Sequence, residues 1–371
     1  MEIKQGMSYA ELNNQFVQMY PFLKLRFFQH PLVQIHLAVF LWGYTAILGK
    51  LITIDTLGLV LIRMLLAAIG FYLLPQTRQN IIKVANELDY RPNLLAQSLN
   101  RGESHTIGVI IPDIQRPFFA GVVAGIQKIA SEAGYRVMIC QSNESHYVET
   151  LNVQALVSSR VDGLLISHTK ETNSFEHVKL QLSKGLPIVH FDRVCGEVDT
   201  AKVIQEDFSG SFALVEHLIQ QGCRRIAACA GPKDLLISEN RLNGYKAALA
   251  KYGIPIDEEL IFHSNFREAD SLIALSRWLD LSQKPDGIFT LHYGNAIEMM
   301  VELKQKGIKI PNEIALVAFG DDLLASLIEP SLTVFNQSAY TIGQEAANIL
   351  IDNIINKETF IPFTKTIKGK L

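Results

Sequence analysis

From residue 106 onward, apolar runs of five to seven residues alternate with longer amphipathic segments, and this double period leaves few folds open. A strand covered on both faces reads as a continuous apolar run, and joining two such strands in parallel needs a crossover helix. The first series of runs is "TIGVIIP" (106–112), "RVMICQS" (136–142), "GLLIS" (163–167), "PIVHFD" (187–192) and "KVIQED" (202–207). A second series follows with "RIAACAG" (225–231), "LIFHS" (260–264), "GIFTLH" (287–292) and "IALVAFG" (314–320). Helical segments such as "PFFAGVVAGIQKIASEAG", "SGSFALVEHLIQQG", "ENRLNGYKAALAKYG" and "NAIEMMVELKQKG" fill the gaps. The prediction is an α/β chain with two doubly wound parallel-sheet lobes of similar plan and a ligand cleft between them.

The 371 residues leave room for more than one unit, and much of the excess in the 48% hydrophobic content sits ahead of residue 76. "PLVQIHLAVFLWGYTAILG" (31–49) lacks Asp, Glu, Lys and Arg, and is long enough to cross a hydrocarbon core of about 30 Å as a helix. "TLGLVLIRMLLAAIGFYLLP" (56–75) is similar apart from Arg63, which would have to snorkel or line a cavity. Together they predict a two-helix membrane hairpin turned at "KLITID", with Lys24 and Arg26 favouring a cytoplasmic N-terminus. A secretory signal peptide, with one short apolar core and a small-residue cleavage site, fits two long runs less well. The wording of this stretch resembles the first two membrane helices of EamA-type transporters of the drug/metabolite superfamily, a fragment from which no transport site can be built.

Between hairpin and sheets, "TRQNIIKVANELDY" places Ile81, Val84, Ala85 and Leu88 on one helical face, and Pro92 bars continuation. "NLLAQSLNRG" follows as a short helical segment closed by Gly102. The order and spacing of "ELDYRPNLLAQSL", "TIGVIIPDIQRPFFAGVVAGI", "SSRVDGLLI", "VHFDRV", "VEHLIQQGCRRIA", "NRLNGYKAAL", "KPDGIFT" and "EPSLTVFNQSAYTIGQEAANIL" carry a resemblance to LacI/GalR-family transcriptional repressors from about residue 77 to the end. That resemblance implies a type I periplasmic-binding-protein-like core binding a small effector, a sugar, a sugar derivative or a nucleobase. It also implies an operator DNA partner and a homodimer meeting along "FFAGVVAGIQKIASEAG".

By the same resemblance, residues 76–104 hold a partial helical DNA-binding head and a hinge helix. The segment like the third helix of the family head begins near Thr77, and nothing before it resembles the first two, so the head is expected to be truncated. Leu99 matches the residue that wedges into a minor-groove step, with Ala96 and Gln97 beside it. Arg78, Tyr90, Arg91 and Asn93 fall where backbone contacts are made. Residues 76–105 carry four basic side chains (Arg78, Lys83, Arg91, Arg101) against three acidic ones (Glu87, Asp89, Glu103), a balance of +1 that limits any purely electrostatic hold on DNA.

For the effector the resemblance implies Phe118 and Phe119 as an aromatic wall and Arg241 as a donor of paired hydrogen bonds. Tyr293 and Asp321 complete the expected set, with two departures. His292 and Tyr293 stand where the family commonly has Asn-Asp, and "AFGDD" puts Gly320 at the family's aspartate, with Asp321 one place later. These departures remove two expected hydroxyl-binding carboxylates. The C-terminal "TKTIKGKL" is expected to stop before a last family strand, leaving an unpaired edge in the second lobe.

A net charge of −3 excludes a globally basic nucleic-acid binder. The four cysteines form no metal-ligand spacing and read as buried thiols in a reducing compartment. The histidines are scattered, and no catalytic motif, cofactor motif or metal motif occurs, so the chain is expected not to be an enzyme. The predicted organisation is a membrane-like fragment over 1–75, a partial head and hinge over 76–104, and an effector-binding and dimerisation core over 105–371. Three readings stay open. The favoured one is a cytoplasmic ligand-responsive LacI-type regulator whose N-terminus has been rearranged by fusion at Pro75 and Gln76. The others are a sensor tethered to the membrane through 31–75 and an exported solute-binding protein.

Overall fold

The computed structural model describes Met64, residues 75–90 and residues 103–371 other than 268, 321 and 358. The chain divides after Asn93 into two compact units. In the first, α1 (Pro75–Glu87) opens on a proline, a residue suited to the first helical turn, where no amide donor is needed. The apolar stripe anticipated on this helix is present, but Ile81, Val84 and Leu88 are exposed and only Ala85 is half-buried. Among the described residues no helix is long and apolar enough to cross a membrane. The hairpin expected over 31–75 lies outside them, save for Met64 and Pro75.

The second unit carries the two expected lobes. In the first lobe the order is β1 (Thr106–Ile111), α2 (Pro117–Glu132), β2 (Arg136–Gln141), α3 (His146–Ser158), β3 (Gly163–Ile166), α4 (Glu176–Ser183), β4 (Ile188–Phe191) and β5 (Ala201–Gln205). The second lobe continues with α5 (Asp207–Gln220), β6 (Ile226–Ala230), α6 (Leu236–Lys251), β7 (Ile261–His263), α7 (Asp270–Leu279), β8 (Gly287–Thr290), α8 (Tyr293–Gln305), β9 (Ala315–Gly320), α9 (Asp322–Leu327) and β10 (Thr333–Asn336). The chain then returns to the first lobe through α10 (Ala339–Ile355) and β11 (Thr364–Ile367). Strand order is β11-β5-β4-β3-β1-β2 in one sheet and β10-β9-β8-β6-β7 in the other, every neighbour parallel.

Burial explains why the runs were readable. β1, β3, β4, β6 and β8 are buried at every position, with a separate apolar cluster on each face of each sheet. The differences from expectation sit at the ends and edges. Asp207 was assigned to a strand but starts α5, and Asp192 has left β4 with φ 58°. The C-terminal "TKTI" forms β11 on the edge of the first sheet, and the Asn336 amide of β10 donates to the Lys370 carbonyl at 2.8 Å. The second sheet's edge is therefore pinned at one point where an unpaired edge was anticipated.

The small residues of α2 serve a contact inside the chain. A Cβ on Gly125 would lie 2.1 Å from the Tyr340 carbonyl oxygen, and one on Gly343 would lie 2.0 Å from that of Val122, so α2 and α10 cross backbone to backbone. Gly125 of α2 therefore serves a contact within the chain. Gly343→Ala is expected to lower unfolding stability by about 3 kcal/mol, the upper end of ordinary overpacking. Gly196→Ala, which meets nothing within 4 Å, should stay within about 0.5 kcal/mol. Urea midpoints of the two variants would check this, and equal midpoints would refute it.

Candidate functional site

Parallel sheets gather functional groups just beyond the carboxyl ends of their strands. Here a cavity of about 730 Å³ lies between the lobes, lined from the first by Arg116, Phe118, Phe119, Asp192 and Arg193, and from the second by Arg241, Phe266, His292, Tyr293 and Phe319. Gln337 and Ser338 line it from the segment that joins β10 to α10. Three lining residues, Asp192, Phe266 and Ser338, hold left-handed backbone with φ of 58°, 55° and 48°. Such conformations cost energy in non-glycine residues and persist where surrounding contacts enforce them.

Arg241 enters from α6 and is 5% exposed. Its Nε donates to Asp207 Oδ1 at 2.7 Å and its Nη1 to the Leu291 carbonyl at 2.7 Å, while the guanidinium carbon lies 3.7 Å from the centre of the Phe319 ring. With the Gln337 amide turned to present its oxygen, that oxygen accepts from Nη2 at 2.8 Å and Nη1 at 3.2 Å. A guanidinium has five N–H groups, so one Nη2 hydrogen stays uncommitted. Donating two parallel bonds to a ligand, as expected from the sequence, therefore requires Gln337 to yield. Burial pushes the Asp207 carboxyl up, and the adjoining Arg241 opposes that shift.

Phe118 and Phe119 meet edge to face at 5.2 Å, with Phe119 also part of the first lobe's core and Phe118 packed against it. Tyr293 begins α8 beside Gly320, where a Cβ would come within 2.9 Å of its ring. Asp321, Arg91, Asn93, Ala96, Gln97 and Leu99 lie outside the described residues. Arg78 falls on α1, and Tyr90 is exposed just past the end of that helix. The structure thus brings Phe118, Phe119, Arg241 and Tyr293 into one cavity.

Several lining groups escaped sequence reasoning. Asp192 is buried at the end of β4, and desolvation raises its carboxyl to about 6 despite the attraction of Arg193 and Arg241. Arg193 donates to Glu144 Oε2 at 2.7 Å, and Arg116 lies 3.5 Å from the other oxygen of that carboxylate. Burial works against the Glu144 charge, but Arg193, the Lys170 amide and Arg116 together hold the carboxyl below its usual range. The Phe266 ring from the second lobe lies near both guanidinium groups, 5.1 Å from Arg116 and 5.3 Å from Arg193. Lys170 Nζ also donates to the Asn265 carbonyl at 2.6 Å, a hydrogen bond from the first lobe to the second. Burial, reinforced by Arg116, Arg241 and Arg193, lowers His292 to about 3, and its Nδ1 accepts from the Gly294 amide. The neutral ring then carries its proton on Nε2 and can donate.

A periplasmic binding protein-like domain family matches residues 215–369. The HTH-type transcriptional repressor CytR of Escherichia coli (strain K12) is 30% identical over 279 residues, covering 75% of this chain and 81% of that protein. The ribose operon repressor of the same organism is 30% identical over 268 residues, covering 72% of this chain and 81% of its own length. Among solved structures, a transcriptional regulator CelR–cellobiose complex superposes with a TM-score of 0.66 at 26% identity, over 80% of this chain and 89% of that one.

Proposed function

The chain belongs to the LacI/GalR family of effector-controlled transcriptional regulators, and from that premise we propose that its inter-lobe cavity binds a sugar or sugar derivative. The observation that carries this reading is the presence, in one cavity, of aromatic side chains and buried charged groups: Phe118 and Phe119 with Asp192 and Arg241. A sugar ring offers apolar C–H faces and a rim of hydroxyls, and needs walls of both kinds. Ribose, cellobiose and nucleobases, each at about a hundred times its Kd, would add about 2.7 kcal/mol of stability. That corresponds to a rise in melting temperature of roughly 5 °C for a core of this size. A calorimetric scan in which no sugar, sugar derivative or nucleobase moves the transition would overturn the effector assignment.

Effector occupancy fixes the angle between the lobes and so sets the geometry offered to operator DNA. The DNA contacts proposed are Arg78, Tyr90, Arg91, Asn93, Ala96, Gln97 and Leu99, within a head and hinge over 76–104, in a homodimer acting in the cytoplasm. Tethering through residues 31–75 is the alternative for the N-terminus. Retention of the full chain in carbonate-washed host membranes would favour tethering, and a soluble product of different size would favour fusion.

A further inference from the structure

Behind the cavity wall, the first lobe gathers four histidines that are far apart in sequence: His146 and His177 on α3 and α4, His168 just past β3 and His190 within β4. Cys195 joins them from the loop after β4. One ligand atom from each of His168, His190 and Cys195 lies within 4.8 Å of the others, and all three residues are buried. His168 Nδ1 pairs with Glu149 Oε1 at 3.1 Å, and His190 Nδ1 pairs with Thr200 Oγ1 at 2.6 Å. In both rings the other nitrogen, Nε2, has no hydrogen-bond partner although fully enclosed.

We infer that His168 Nε2, His190 Nε2 and Cys195 Sγ form a binding site for a zinc-class divalent ion. A buried imidazole with one nitrogen unsatisfied is unfavourable unless something accepts or coordinates there. Protons on both Nδ1 atoms would donate to Glu149 and Thr200 and leave the Nε2 lone pairs free. That is the arrangement in which outer-shell oxygens orient ligating histidines. Two imidazoles and one thiolate suit Zn(II), and three protein ligands leave the fourth tetrahedral position to water. Glu149 is further held by His177 Nε2 at 2.8 Å and the Thr169 amide at 2.8 Å, so its carboxylate is committed to the outer shell. On binding, the Cys195 S–H bond breaks, sulfur bonds the metal, and the proton passes to buffer.

The test uses the full chain, stripped with a chelator, desalted and titrated with Co(II) and then Zn(II). One equivalent of Co(II) should produce a near-ultraviolet thiolate-to-cobalt absorption that Zn(II) abolishes, with one proton released per ion. Cys195→Ser should lose that absorption, while Cys140→Ser keeps it. Thr200→Val, which deletes only the outer-shell partner of His190, should weaken Zn(II) binding roughly 10–100-fold with unchanged circular dichroism. It keeps the test open if Cys195→Ser fails to fold. Two results overturn the inference: no cobalt absorption in the stripped wild-type chain, or binding without a thiolate band that His146→Gln abolishes and Cys195→Ser spares. The latter would place the ion on the neighbouring group of His146, Glu149 and His177.

Discussion

Replacing Arg241 with methionine is expected to lower unfolding stability by roughly 3–5 kcal/mol and to abolish the effector-induced rise in melting temperature. The stability loss follows from what the guanidinium leaves behind. Asp207 is 6% exposed and Arg241 is its ion-pair partner at 2.7 Å, while the Leu291 carbonyl accepts from the same group. Removing the cation strands a buried carboxylate and a buried carbonyl, and the stacking on Phe319 is lost as well. Asp207 can protonate in response, which reduces the penalty at low pH, so the deficit should widen as pH rises. A second substitution separates structure from recognition. In Arg241→Met/Asp207→Asn the stranded charge is gone, and a neutral pair of similar volume should recover much of the stability. Effector binding should stay absent, because the uncommitted Nη2 donor is missing in both variants. A double variant as unstable as the single one, by urea denaturation, would mean that the ion pair is not what Arg241 contributes.

The contrast between what was readable in the sequence and what was not has a physical basis. Strands covered on both faces, such as β1 and β6, are uniform apolar runs and could be located within a residue or two. β10 and β11 were missed: only the two central positions of β10 are buried, and β11 is an edge strand whose exposed positions alternate with covered ones, without a run. Asp192 and Asp207 were assigned to strand ends because hydrophobic pattern alone cannot separate the last strand residue from the first residue beyond it. Those are the positions where a parallel sheet places its functional carboxylates. Phe118, Phe119, Arg241 and Tyr293 were singled out through family resemblance, and they line one cavity, a juxtaposition that no local pattern contains. His292 and Gly320 both line the cavity, and Asp192 brings a carboxylate to it from the first lobe that the resemblance did not single out. The cluster of His168, His190 and Cys195 was invisible for a different reason. Its members come from segments that only the side-by-side pairing of β3 and β4 brings together, so no spacing motif exists to find.

Asp192→Asn should move stability the opposite way from Arg241→Met, raising it by about 3 kcal/mol at neutral pH in the absence of effector. Desolvation raises the Asp192 carboxyl from 3.8 to about 6. Below the lower value both folded and unfolded chains hold the proton, and the group contributes nothing. Between the two values the unfolded chain has released its proton and the folded chain has not, so stability falls by about 1.4 kcal/mol for each pH unit. Above about 6 the cost is constant. Asparagine has no proton to lose, so the gap between variant and wild type should be near zero at pH 4, open through pH 6 and then level off. Parallel stability curves would show that Asp192 is not buried as described. The same substitution should weaken sugar binding about 10–100-fold, since hydrogen bonds to a charged acceptor contribute roughly 1.5–3 kcal/mol. Hydroxyls donating to Asp192 favour its ionised form, so binding near pH 6 should release protons, seen calorimetrically as an enthalpy that depends on the buffer. A residue that costs stability when empty and is relieved when occupied marks a site shaped for a ligand, and a packing role for Asp192 would produce neither the pH signature nor the proton release.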